Sequence, residues 1–323
     1  MRILTRKLKY ILFFYSAISF AQLDDVGDIA ADLVFLADKY VSPAADASVY
    51  QFSGGWYTSA KKKDLWDLEI SIQGNFLFIP NKSKNFTFSD SELQNLSIIG
   101  EGTSASTPTA LGGKKIIGLA GTLGEDAFEF DSPQGIDESY IKHAQFQASL
   151  GLWKGTTLIG RFSPKIQINK TYYQILGFGL QHNISQWIPG TNQSSFSLAG
   201  LITYSFYTVG DKFTPVSLPI GELNSVIVDG QSFMFNLIAS KEIDKFNFSA
   251  AVGVTSSKFD YKVGGNGDLV INTLNRALGA LNESKSILKA DIGINYRIND
   301  FSVNTMFTFG SYANLLFGLN YNL

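Results

Sequence analysis

The last eleven residues, Ala313-Asn-Leu-Leu-Phe-Gly-Leu-Asn-Tyr-Asn-Leu323, constrain the fold more than any other stretch. Leu315, Phe317, Leu319, Tyr321 and Leu323 share one side of an extended strand. Asn314, Gly318, Asn320 and Asn322 share the other, and Leu316 is out of phase. Chain ends ordinarily fray. A strand with an aromatic and aliphatic face that runs to the final carboxylate needs neighbours on both edges. A closed barrel in lipid supplies them, because no edge can be left open there.

The expectation is therefore an all-β chain, a transmembrane antiparallel β-barrel. Gly318, Tyr321 and Leu323 have the spacing of the C-terminal signal read by the barrel-assembly machinery, which makes that machinery and outer-membrane lipid the first expected partners. The N-terminus points the same way. Arg2, Arg6, Lys7 and Lys9 precede an apolar core from Ile11 to Phe20, and Ser19-Phe20-Ala21 offers small residues for cleavage before Gln22. Ten apolar residues are half of the roughly twenty that a spanning helix needs, so residues 1–21 are expected to be a signal peptide. With Cys 0, disulfides, thiolate catalysis and cysteine-ligated metals are excluded together. A net charge of −2 argues against nucleic acid.

Alternation of apolar and polar residues marks the strands. Ser286 to Ile298 places Leu288, Ile292 and Ile294 opposite Lys289, Asp291 and Arg297. Further candidates are Trp66 to Ile79, Ile141 to Leu152, Thr156 to Ile168, Tyr172 to Asn183, Phe196 to Val209, Ser232 to Lys241, Phe246 to Thr255 and Phe301 to Phe309. Counting Val49 to Thr58 and Lys114 to Ala120 as well gives about twelve strands, and dropping both gives about ten, within the range usual for such barrels. Twelve is the expectation, with residues 49–323 forming the barrel. The short connections at Trp153-Lys-Gly155, Ser185 to Ser194, Glu242 to Lys245 and Asn299-Asp300 are expected at the periplasmic side, with both termini. The long ones, Gly210 to Asp229 and Asp260 to Lys285, are expected outside.

Two segments have helical spacing. Within residues 22–48, Asp24-Asp25 can cap a helix that Ser42-Pro43 would stop near Val41. Its stripe of Val26, Ile29, Leu33, Leu36 and Tyr40 either packs against the barrel or plugs its periplasmic mouth or lumen. Asp268 to Leu281 is a second helix inside an extracellular loop. Gln147, Arg161, Lys289, Asp291 and Arg297 are the candidate lumen-lining residues. Gly264-Gly-Asn-Gly267 reads as a flexible loop tip, since no βαβ unit surrounds it to make a phosphate loop. Asp260, Asn266 and Asp268 offer a weaker calcium reading there, and no metal or other cofactor is expected.

Pro133-Gln-Gly-Ile-Asp137, Gln147 to Gly155 and Gly177-Phe-Gly-Leu-Gln-His-Asn-Ile-Ser-Gln-Trp-Ile-Pro-Gly190 carry a resemblance. So do Leu23 to Val26, Tyr40 to Pro43 and Gly55-Trp-Tyr-Thr58. Across most of the chain it resembles a group of uncharacterised outer-membrane proteins of Bacteroidota, barrels loosely similar to the FadL long-chain fatty-acid transporters. The resemblance implies the fold and supplies no catalytic residues.

No catalytic role is expected. Only His143 and His182 are present, each on a strand, without a Gly-x-Ser-x-Gly element or a metal-spaced pair. Two functions stay open: a plugged channel or transporter for a small solute, hydrophobic or not, and an accessory barrel bound to a protein partner in an outer-membrane secretion or assembly complex.

Overall fold

Ten of the alternating segments close on themselves. A computed structural model describes residues 2–100, 102–168, 171–189, 195–218, 221–280 and 283–323, with the side chains of 2–24, 168, 268–270, 280 and 283 outside the described set. The expected signal peptide falls among those side chains. Helix α1 (Arg2–Ser53) is followed by β1 (Leu68–Phe78), then by the small strands β2 (Asn85–Ser89), β3 (Ser97–Ile98), β4 (Ser104–Pro108), β5 (Gly118–Leu123) and β6 (Asp126–Asp131). The rest of the wall is β7 (Tyr140–Gly151), β8 (Thr156–Ile168), β9 (Thr171–Asn183), β10 (Phe196–Leu218), β11 (Gly221–Ile243) and β12 (Phe246–Asn266). Helix α2 (Asp268–Ala280), β13 (Glu283–Ile298), β14 (Phe301–Phe309) and β15 (Ala313–Asn322) complete the chain.

The barrel is β1 and β7 to β15 in an antiparallel ring that β1 closes against both β15 and β7. Ile72 pairs with Leu319 and Ile70 with Tyr321, so the terminal strand is the closing one. Asp244 and Asn299, at φ 52° and 54°, begin the two-residue turns β11–β12 and β13–β14. Short polar residues tolerate this left-handed backbone, which matches the twist of a hairpin. Outside, Ile70, Phe146, Phe178, Phe235, Val252, Leu288, Ile292, Ile294 and Phe317 are exposed and form an apolar belt, while Lys289, Asp291, Gln147 and Arg161 are buried inside.

Ten strands replace the expected twelve. Val49 to Thr58 is no strand: α1 continues through Pro43, carried by the alanine-rich turn after it, until Gly54-Gly55 ends it. The helix thus overruns both the expected stop and the expected barrel boundary at residue 49. Lys114 to Ala120 overlaps β5, which belongs to a separate sheet with β3 and β6; β2 and β4 pair in another. The long connections are in good part strand. Both β10 and β11 extend well past the expected ends, and the Gly264–Gly267 tip is mostly β12, with Gly265 paired to Leu223.

The expected topology of the N-terminal segment is corrected. Asp25 accepts a hydrogen bond from Gly124 N at 2.8 Å, in the β5–β6 turn at the long-loop end. Ala60, by contrast, is held at the short-turn end by Asn183 and Ser240. The chain therefore crosses the lumen once before β1 begins, and Asp25 and Leu323 lie at opposite ends of the barrel. Among the described residues no helix is long and apolar enough to cross a membrane.

Candidate functional site in the barrel lumen

Residues 45 to 60 fill the lumen, and the wall holds them by capping a helix end. The last carbonyls of a helix have no partner within it and carry partial negative charge. Arg161 on β8 donates from Nη1 to Phe52 O at 3.0 Å and to Gly54 O at 2.9 Å. Lys289 on β13 donates to Ser53 O at 2.9 Å. Both cations are neutralised or oriented by the wall. Gln147 Oε1 accepts from Arg161 Nε and Nη2 at 3.1 and 2.8 Å, and Asp291 lies 2.7 Å from Lys289 while accepting from Thr308 at 2.7 Å. A buried charge survives only with such partners. Four of the five expected lumen-lining residues thus meet around one helix terminus. Arg297 instead sits exposed at the short-turn rim, 3.7 Å from Glu242.

Below the helix the chain is extended and seated side chain by side chain. Gly55, at φ 75°, makes the turn, and a Cβ there would lie 2.1 Å from Leu316 Cδ1. Leu316, out of phase in the closing strand, thus belongs to the lumen as a contact for the plug. Trp56 lies between the backbone at Gly177 and Gly179, where a Cβ would meet its ring at 2.7 and 3.3 Å, and the Arg161 guanidinium 4.0 Å from the ring centroid. Ile159, Leu201, Met234 and Ile238 point inward and complete an apolar cluster around Trp56, Tyr57 and Ala60. Gln73 donates to Gly55 O at 2.9 Å and Gln181 to Ser59 O at 2.8 Å. The sequence signals for this seat were the paired glycines of β9 and the isolated aliphatic residues on polar faces.

At the other end α1 enters a conventional core. Ile29, Leu33 and Tyr40 are buried, and Val26 and Leu36 half-buried. Ile29, Leu33, Leu36 and Tyr40 pack with the inward faces of the β10, β11 and β12 extensions and with Leu274 and Leu278 of α2. The stripe is therefore at the long-loop mouth and not at the short-turn end, where the expected periplasmic plug would sit. Asp32 accepts from Gln94, Asn95 and Leu96 N at 2.7, 2.8 and 2.8 Å, which ties the helix to the β2–β3 connection. Tyr40 donates to Gln134 O at 2.8 Å. Burial, and then the charge of Asp211, pushes its hydroxyl well above the ordinary tyrosine range and keeps that donor protonated.

The remaining candidates scatter. Gly318 faces inward against Asn304, while Tyr321 and Leu323 are exposed on the outer face. His143 is buried between Phe52 and Tyr173, at centroid distances of 5.1 and 4.5 Å. His182 lies at the short-turn end beside Thr156, Gln186 and Trp187. Asp260 and Asn266 are strand residues, the Asp268 side chain lies outside the described set, and no acidic or histidine group of metal-binding size occurs among the described residues.

A cavity of about 340 Å³ lies between α1 and the wall. Its lining includes Tyr140, Ile141 and Lys142 of β7, beyond the stretch in which β7 and β8 pair, from Gly151–Thr157 up to Phe146–Phe162. Pro164, which cannot donate to a ladder, lies on β8 beyond that stretch.

Solved barrels are similar in architecture. The translocator domain of the autotransporter NalP from Neisseria meningitidis matches at TM-score 0.34 and 10% identity, over 88% of this chain and 99% of that one. OprG from Pseudomonas aeruginosa matches at 0.24 and 11%, over 82% and 99%. The toluene transporter TbuX of Ralstonia pickettii matches at 0.22 and 8%, over 80% and 90%. At such scores they share a barrel with this chain and nothing finer. No curated protein matches the sequence. A family model does, over residues 1–323, and the chain belongs to the family of unknown function DUF6588.

Proposed function

We propose that the chain, exported by residues 1–21, is an outer-membrane barrel whose own N-terminal segment closes a pathway for a small, partly hydrophobic solute. A closed ring with an apolar outer belt suits lipid, where every backbone group must be paired. The observation that carries the reading is that the occluding segment belongs to no strand. Residues 45 to 60 can leave without breaking any pair of the ring, since β1 closes on β15 and β7 independently of them. The segment is held by side-chain clamps, among them Arg161, Lys289, Gln73 and Gln181, and by packing around Trp56, and not by strand pairing.

The alternative is an accessory barrel for an outer-membrane partner, and the close seat of Trp56 favours it, because a packed lumen conducts nothing. Single-channel recording separates the two. The full chain should be silent in a planar bilayer. A variant lacking residues 25–60 that still shows heat-modifiable migration should conduct. A folded but silent deletion would transfer the assignment to the accessory barrel.

A further inference from the structure

The cavity beside α1 has a specific chemistry and a specific mouth. Its body is apolar: Val41 and Ala44 of the helix face Val209, Val226 and Val228 of the wall. Ser48, Thr171 and Asp211 are among its polar lining side chains, and Gln51 is the described one that is buried with an unpartnered atom. Gln51 lines the cavity, is 4% exposed, and its Nε2 has no hydrogen-bond partner in the structure. A buried amide donor without a partner loses its hydration uncompensated, so an acceptor placed there is strongly favoured.

The mouth follows from the wall. Tyr140 and Lys142 point outward on β7, yet they line the same cavity as the inward-facing Ile141 and Tyr173. The cavity thus opens at the upper end of β7, beside the loop residues Lys114, Gln134 and Glu138, in the stretch of β7 that is not paired with β8. The cations among the lining residues, Lys114, Lys142 and Lys212, belong to the rim. None is at Gln51, so a carboxylate placed there would be buried without a counter-charge.

We infer that this cavity binds a small uncharged amphiphile, an apolar body with one carbonyl or hydroxyl oxygen, which enters at the upper end of β7 and accepts a hydrogen bond from Gln51. The volume lies within the roughly 300–1,000 Å³ range of small-molecule sites. The inference rests on the plugged-barrel reading only in naming the solute class; binding can be measured whether or not the barrel conducts.

The chain has no cysteine, so Ser48→Cys on the cavity wall gives a unique thiol in the full-length protein. In lipid nanodiscs, methyl methanethiosulfonate should modify it, and 2-nonanone should protect it in a saturable manner. Adding Gln51→Leu should raise the half-protecting 2-nonanone concentration about tenfold, the scale of one hydrogen bond to a buried group. It should leave protection by nonane unchanged. Val228→Phe, which fills the space, should remove protection by both. The inference is overturned if the thiol never reacts, if 2-nonanone gives no saturable protection, if Gln51→Leu shifts nothing, or if nonanoate protects better than the ketone. Heat-modifiable migration of each variant certifies that the barrel has formed.

Discussion

Strand β12 passes through two surroundings with one backbone. From Phe246 to Val254 its outward residues are Phe246, Phe248, Ala250, Val252 and Val254, and Asn247 and Ser249 face in. From Ser256 upward the outward residues are Ser256, Lys258, Asp260 and Lys262, and Phe259, Tyr261 and Val263 face in. The alternation of exposed and buried positions does not break between the halves. Only the chemistry changes sides. In the lower half the outside is the apolar belt, which the proposed function sets in lipid, and the inside is a polar lining. In the upper half the outside meets water and the inside packs on α1. The exchange near Ser256 therefore marks where a wall with an apolar outside becomes the container of an ordinary hydrophobic core.

The largest effect is expected inside the upper half. Phe259 is buried, with Tyr207 and Tyr261 rings at 6.4 and 6.2 Å. Phe259→Ala should cost about 3–5 kcal/mol in urea melts of the detergent-solubilised protein. Lys258→Ala beside it should stay within about 0.5 kcal/mol. Equal costs would dissolve the distinction between the two faces. Next comes the outer surface. Ile292→Arg in the belt should cost about 2–4 kcal/mol at mid-membrane depth, while Asp260→Arg, outward but above the exchange, should cost almost nothing. A comparable penalty at Asp260 would place the membrane boundary higher.

The exchange also explains what the sequence could show. Wherever apolar residues face out and polar ones in, the strands were legible to within a few residues, Thr156–Ile168 and Phe301–Phe309 among them. Strand ends were placed too early in β10 and β12 because the pattern inverts there, and an inverted pattern resembles the end of a strand. The inside–outside assignment of Lys289 and Asp291 was legible from period two alone. Their task was not, since capping Ser53 requires knowing that a helix end lies 236 residues away in sequence. Leu316 is out of phase in the sequence, and its reason, like that of Gly177 and Gly179, emerges only with Gly55 and Trp56 as partners.

A smaller effect should appear at the latch between α1 and the mouth. Asp32 is buried and accepts three backbone N–H bonds, each to a charged acceptor and so stronger than a neutral bond. Asp32→Asn should lose about 1.5–3 kcal/mol. The loss should be local. Hydrogen exchange should quicken in residues 25–40 and 94–96 and not in β13 to β15. Uniform quickening around the ring would show that the upper core and the membrane wall unfold as one unit.

The finest comparison lies between two glycines on neighbouring strands. Gly177 on β9 pairs with Arg161 and faces the lumen, whereas Gly160 on β8 pairs with Phe178 and faces out. A Cβ at Gly160 meets nothing within 4 Å, while one at Gly177 meets Trp56 Cη2 at 2.7 Å and Ser205 Oγ at 2.9 Å. Gly160→Ala should be neutral or slightly stabilising, because alanine loses less chain entropy in a strand. Gly177→Ala must push the indole off the sheet and should cost about 1–3 kcal/mol as an overpacked contact. It should also shift tryptophan emission, as Trp56 leaves a site where it is 1% exposed. Because Trp56 and Arg161 are stacked, the same displacement loosens the helix cap at Phe52 and Gly54. A plug held at this point should then admit brief conductance bursts in a bilayer that the unaltered chain keeps silent. If Gly177→Ala alters emission and leaves the recording silent, the seat of Trp56 fixes the fold of the lumen without governing its closure.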